Sequence, residues 1–118
     1  MRLKAFLPTT NPARSLAFFR DTLGFTLLSQ DNFALEFDAG ACRLRITTVQ
    51  NLTPQPFTVL GWDVTNIGQK IQDLMQKGVV FERYGFDQQD ELGIWVAPGG
   101  TRVAWFKDPD GNVLSLSE

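Results

Sequence analysis

Thr10-Asn11-Pro12 and Thr65-Asn66-Ile67 open two segments that carry the same helical signals about half a chain apart. After the first, Leu16, Phe19 and Leu23 recur on one helical face and Gly24 follows; after the second, Ile71, Leu74 and Met75 do so and Gly78 follows. In each segment the asparagine can accept hydrogen bonds from the orphan amides of a first turn, and the glycine can take the left-handed conformation that ends a helix. Pro12 stands at the first helical position, where its fixed φ suits the helix and its missing N–H is no loss. A chain built from two copies of one unit must find a fold in which that unit occurs twice.

Strand patterns surround each helix. Residues 3–8 and 57–64 precede the two helices, residues 25–29, 32–37 and 42–48 follow the first, and residues 79–84, 101–107 and 112–117 follow the second. The order is βαβββ twice, which predicts an α+β fold in a single domain, 1–118, with modules at 1–55 and 56–118. Asp38-Ala39-Gly40 and Asp108-Pro109-Asp110-Gly111 supply tight-turn chemistry. Alternation then assigns faces: Phe33, Leu35 and Phe37 go with Leu44 and Ile46, while Ala34 and Glu36 go with Arg43 and Arg45. A hairpin turning at Gly40 sets Glu36 opposite Arg43 and Ala34 opposite Arg45. The apolar face is expected against the helix, which leaves an unusually polar sheet face turned away from it.

Composition narrows the chemistry. The 118 residues should bury roughly two thirds of the unfolded chain's surface in one core. With 11 Lys plus Arg against 13 Asp plus Glu, a net charge of -2 and no long run of one sign, neither nucleic acid nor an anionic membrane is an expected partner. The chain has no histidine, so imidazole bases, Ser-His and Cys-His pairs and His-liganded metals are excluded. Cys42 is the single cysteine, which rules out an intrachain disulfide and suits a reducing compartment. Met1-Arg2-Leu3-Lys4 opens no signal peptide and no apolar run approaches the roughly 18 residues that span a bilayer, so a cytoplasmic protein is expected.

The segments Asn11-Pro12-Ala13-Arg14-Ser15-Leu16-Ala17-Phe18-Phe19-Arg20-Asp21-Thr22-Leu23-Gly24-Phe25 and Trp105-Phe106-Lys107-Asp108-Pro109-Asp110-Gly111-Asn112-Val113-Leu114, set within two βαβββ units, resemble the vicinal-oxygen-chelate superfamily, which includes glyoxalase I, extradiol dioxygenases and bleomycin-resistance proteins. The resemblance implies two mixed sheets that curl into a cup with the helices on the convex side, a ligand on the concave side, and a homodimer. It also implies four positions for ligands to a divalent metal, which fall here on Lys4, Arg45, Val59 and Ser115. An ammonium or a guanidinium has no lone pair to donate and adds positive charge where the cation would sit. No metal and no other cofactor is therefore expected, and glyoxalase I or dioxygenase activity is disfavoured. Glu36 and Asp63, the carboxylates whose strand parity aims them at the cup, are too few for a hard-cation site.

The remaining candidates follow from the polar face. Arg43 is expected to pair with Glu36 across the hairpin. Lys4 and Arg45, with no partner of their own, read either as a solvated pair or as a subsite for a carboxylate, enolate or phosphate. Phe18, Phe19, Phe33, Phe37 and Trp62 are expected in the core. Phe6 and one of Trp105 and Phe106, which alternation sends to opposite faces, would wall the cup, and Trp95 lies in the Gly/Pro-rimmed segment 92–100, readable as a flap or as a packing insertion. Cys42 reads as a small filler. The leading expectation is metal-free capture of an anionic or planar aromatic small molecule, with antibiotic sequestration as a role the resemblance implies. The rivals are a metal-independent lyase or isomerase, with Lys4 or Arg45 stabilising an oxyanion and Glu36 or Asp63 as base, and an interaction module whose cup a partner protein closes.

Overall fold

The chain adopts an α+β fold of two βαβββ modules, seen here in a computed structural model that describes residues 1–85 and 88–118. Two compact units divide it: Met1–Pro54 with Asp108–Asp110, and Gln55–Lys107 with Gly111–Glu118. Among the described residues no helix is long and apolar enough to cross a membrane.

The first unit holds β1 (Lys4–Thr9), α1 (Pro12–Ala17), β2 (Thr26–Gln30), β3 (Ala34–Asp38) and β4 (Arg43–Thr48). Its sheet runs β1-β4-β3-β2, with β1 parallel to β4 and the other pairs antiparallel. Asn11 caps α1 as its sequence suggests, its side-chain oxygen accepting from the Arg14 amide at 3.2 Å. Beyond Ala17 the helix widens into a π turn over Phe18–Thr22, closed by the Leu23 amide donating to the Phe18 carbonyl. That turn carries Phe19 into the core against Phe37, with ring centroids 6.0 Å apart, beside Leu7, Leu35, Leu44 and Ile46. Leu16 and Leu23 stay half-buried, and Ser15 takes the buried place on α1.

The β3–β4 register corrects the expected pairing. Asp38 lies opposite Arg43, Glu36 opposite Arg45 and Ala34 opposite Thr47, because the hairpin tip is Gly40-Ala41, closed by the Ala39 amide donating to the Cys42 carbonyl. Gly40, at φ 90°, takes the first tip position, where a two-residue turn of this hand needs positive φ. The tip moves by one residue, which changes each partner by two and leaves every side chain on its assigned face. Phe33 is a second correction: it is 72% exposed, since the Asp31 carboxylate accepts from the Phe33 and Ala34 amides and holds that segment in a turn before β3 begins.

The second unit repeats the plan with β5 (Thr58–Asp63), α2 (Ile67–Gln76), β6 (Trp95–Val96), β7 (Arg102–Lys107) and β8 (Val113–Ser117), in the sheet order β5-β8-β7-β6. Its core takes Ile67, Ile71 and Leu74 from α2, and Ala104, Phe106, Leu114 and Leu116 from the sheet. Met75, expected on the buried face of α2, is largely exposed. Residues 79–84 form no strand; Phe81 makes one bridge to Phe106, and the edge position goes to Trp95–Val96, inside the segment read as a flap or an insertion. Asn66 does not cap α2 either. It sits at φ 55°, and the Glu118 carboxylate accepts from the Asn66 and Ile67 amides at 2.6 and 3.0 Å. Those two bonds, ahead of the cost of partial burial and with help from Arg102, hold the Glu118 carboxyl below its ordinary pKa.

Candidate ligand site

The polar face of the first sheet is built by parity on three strands. In register, Lys4 of β1 lies beside Arg43 of β4, Phe6 beside Arg45, and Arg45 beside Glu36 of β3. Glu36 is 7% exposed and takes all three cations: Lys4 Nζ lies 3.0 Å from Oε1, Arg45 Nη1 donates to Oε2 at 3.1 Å, and Arg43 Nη1 lies 3.6 Å from Oε1. Arg45 is thus paired, contrary to the sequence expectation. The hydrogen bond from Lys4 lowers the Glu36 pKa, partial burial opposes it, and Arg45 lowers it further, so the net shift is down. A carboxylate held ionised in this way is poorly matched to taking a proton near neutral pH.

Three cations on one carboxylate leave an excess of two positive charges. Arg2 and Asp38 cancel when they are added to the count, and Asp31, within electrostatic reach of Arg45, brings the wider excess to one: Arg2 lines a cavity of about 300 Å³ with Leu3, Lys4 and Arg43, and both Arg2 and Asp38 line a second, of about 340 Å³, with Cys42 and Arg43. The cations remain partly open to solvent while their carboxylate does not. Phe6, 61% exposed, stands next to Arg45 as an apolar wall. Cys42 is free and half-buried.

In the second unit burial settles the pair left open by the sequence. Phe106 is fully buried, 6.4 Å from Trp62 and 5.3 Å from Phe81 by ring centroids, and so belongs to the core. Trp105 takes the opposite face, opposite Ser115 in register. Trp95 pairs with Val103, and its ring lies 6.1 Å from that of Trp105. Gly61 of β5 lies opposite Ser115, so closely that a Cβ on it would stand 2.7 Å from Ser115 Oγ. Val59 is exposed beside a register shift in β5, and Asp63 accepts from Ser117 Oγ at 3.1 Å.

The donor chemistry does not fit a metal. In the first unit the two family positions are Lys4 and Arg45, both committed to Glu36; in the second they are a valine and a serine. Among the described residues no group of three or more His, Cys, Asp or Glu could hold an ion. Sequence reasoning missed Arg2, whose place before the first strand gave no face, and the aromatic neighbours of Trp105, namely Tyr84 and Phe57, which lie outside regular strands.

A sheet order of first, fourth, third, second, repeated in two βαβββ units, defines the class, and comparison with known proteins agrees. Residues 3–116 match the profile of the Glyoxalase/Bleomycin resistance protein/Dioxygenase superfamily, and the chain belongs to that family. Among solved structures, the bleomycin resistance determinant encoded on the transposon Tn5 is similar at 19% identity and TM-score 0.78, covering 100% of this chain and 97% of the other. Lactoylglutathione lyase from Agrobacterium tumefaciens is similar at 14% identity and TM-score 0.78, covering 100% and 92%. A superfamily member from Sphaerobacter thermophilus DSM 20745 is similar at 21% identity and TM-score 0.77, covering 100% and 96%. At these identities the likeness is one of fold. No functionally curated protein matches the chain in sequence.

Proposed function

We propose that this protein is a metal-free, cytoplasmic, small-molecule-binding member of its superfamily that captures an anionic ligand and does not transform it. The observation that carries the reading is the Glu36 cluster, where an excess of positive charge faces partly open space beside an exposed phenylalanine. A carboxylate or phosphate there would relieve repulsion among Lys4, Arg43 and Arg45 and accept charge-assisted hydrogen bonds. The depressed pKa of Glu36 goes against its use as the base of a lyase or isomerase. Sequestration of an antibiotic is one role compatible with capture, supported by the fold shared with the Tn5 resistance determinant.

The test is calorimetric titration of cyclohexanecarboxylate and its uncharged amide. The acid should bind more tightly, less so in added salt, and Arg45→Ala should weaken acid binding by about tenfold while sparing the amide, as expected for one charge-assisted hydrogen bond. Equal affinities for acid and amide in the parent protein would overturn the reading. Elemental analysis of protein purified without added metal should find no stoichiometric divalent ion. One ion per chain that survives dialysis would require a different ligand set. We further propose a homodimer, because β1 and β5 are edge strands with exposed apolar residues, among them Phe6 and Val59. Sedimentation equilibrium should give twice the chain mass, and a monomer at every concentration would remove the dimer from the proposal.

A further inference from the structure

The second unit contains a cavity of about 460 Å³ lined by Pro56, Phe57, Thr58, Tyr84, Trp105 and Val113. Its walls are aromatic and set at angles. The Tyr84 and Trp105 rings stand edge to face, with centroids 5.4 Å apart and planes at 80°, and Trp95 backs Trp105 at an interplanar angle of 35°. Phe57 is 59% exposed, an apolar area that a guest would remove from water. We infer that this corner is a binding site for a planar, uncharged aromatic group, which stacks on one ring while another meets its edge.

Three observations select that occupant. Ring pairs favour offset-stacked or edge-to-face geometry at centroid distances of about 4.5–7 Å, and a corner of two perpendicular rings offers a flat guest both at once, which a saturated ring cannot exploit. The lining residues include no charged side chain among those described, and the hydroxyls of Thr58 and Tyr84 and the indole N–H of Trp105 are its polar side-chain groups. Burial, and after it the neighbouring Glu82 carboxylate, raise the pKa of Tyr84, so the local potential does not favour an anion. The corner is also held in place before any guest arrives. The Tyr84 amide donates to Gln89 Oε1 at 2.8 Å, and Gln89 Nε2 donates to the carbonyls of Glu82 and Gly93 at 3.1 and 2.9 Å, so little ordering is left for binding to cost.

This site shares no residue with the Glu36 cluster, so the two proposals fail separately. The probes are 2-naphthol, its saturated analogue decahydro-2-naphthol, and 2-naphthoate, each titrated calorimetrically into the full chain and into Tyr84→Ala, Phe57→Ala and Arg45→Ala. The naphthol should bind about fivefold or more tighter than the saturated alcohol, a ratio in line with one good ring–ring contact. Tyr84→Ala and Phe57→Ala should each weaken the naphthol several-fold, and Arg45→Ala should leave it unchanged. Phe57 is largely exposed, so that variant tests the site even if Tyr84→Ala disturbs the fold. Equal binding of the flat and saturated alcohols, tighter binding of 2-naphthoate that persists in Arg45→Ala, or indifference to both aromatic substitutions would overturn the inference. So would an affinity that falls as the protein self-associates, which would show the corner to be covered by a second copy.

Discussion

Replacing Asp110 by alanine should destabilise the protein by about 2 kcal/mol, at roughly 1 kcal/mol or less for each of several hydrogen bonds in a partly open site. One carboxylate takes three full hydrogen bonds and a share of a fourth. Oδ2 accepts from Thr9 Oγ1 at 2.6 Å and lies 3.4 Å from Ser15 Oγ, whose one proton also points to Thr9 Oγ1 at 2.7 Å, and Oδ1 accepts from the Thr10 amide at 2.8 Å and Thr10 Oγ1 at 2.7 Å. Thr9 and Ser15 are fully buried. Without Asp110 they keep their mutual bond of 2.7 Å and the Asn11 amide's bond to Thr9 Oγ1 at 3.1 Å, and the Thr10 amide at the entrance to α1 loses its acceptor. Urea unfolding should show a lower midpoint with an unchanged slope. A midpoint equal to that of the parent would show that water replaces the carboxylate at no cost. Partial burial pushes the Asp110 pKa up, but the bonds from Thr9, Thr10 and Ser15 outweigh it and the net shift is down. A depressed folded pKa means that the contribution is complete above the ordinary aspartate range and is lost as pH falls through it. The difference between parent and Asp110→Ala should therefore narrow in acid.

Glu36→Gln should have two effects of opposite sign: a lower melting temperature and tighter binding of small carboxylates. The substitution keeps the shape of the side chain but leaves Lys4, Arg43 and Arg45 around a neutral amide, raising the local excess by one positive charge. Repulsion among them should cost several degrees of thermal stability at low salt and less at high salt. The same excess should attract an anion more strongly. Scanning calorimetry at two salt concentrations, with an acid titration alongside, measures both; an unchanged melting temperature, or weaker acid binding, would contradict the charge account. The Glu36 pKa is depressed, so this deficit too should be present at neutral pH and vanish as pH falls below the carboxylate range. The Glu36 pairing also fixes the sign for Arg45→Ala. A lone repelling cation could be removed without loss, whereas a residue that donates to Glu36 at 3.1 Å should leave the protein slightly less stable when it goes.

What could be read from the sequence follows from which physical signals are local. Alternation is local, and it placed Glu36, Arg43 and Arg45 on one face and separated Trp105 from Phe106. The partner across a hairpin depends on which two residues form the tip, and Ala39-Gly40 and Gly40-Ala41 both offer a glycine. Shifting between them preserves every face and changes every pair, so the polar face was legible and the Glu36–Arg45 contact was not. Asn11 and Asn66 look alike in sequence, yet only Asn11 caps with its side chain. Glu118, 51 positions beyond Ile67, supplies the acceptor at α2, and no nearby residue announces it. Phe33 continues an apolar alternation but is drawn out by the Asp31 turn. Trp95–Val96 was hidden by its brevity among glycines and prolines.

The Asp108–Asp110 turn packs with the first unit although the chain reaches it only after passing through most of the second. The hydrogen bond from Thr9 to Asp110 joins residues 101 positions apart. During synthesis, β1 and the entrance to α1 leave the ribosome with their hydroxyls unmatched and wait until about a hundred further residues have followed, a delay of about 5 to 20 s at ordinary elongation rates. A gene fragment that encodes the first repeat alone would never supply the missing carboxylate. Although its sequence reads as a tandem duplication, the first unit should finish folding only after residues 108–110 have emerged, and the nascent first repeat is where a chaperone that recognises unfinished chains would find its target.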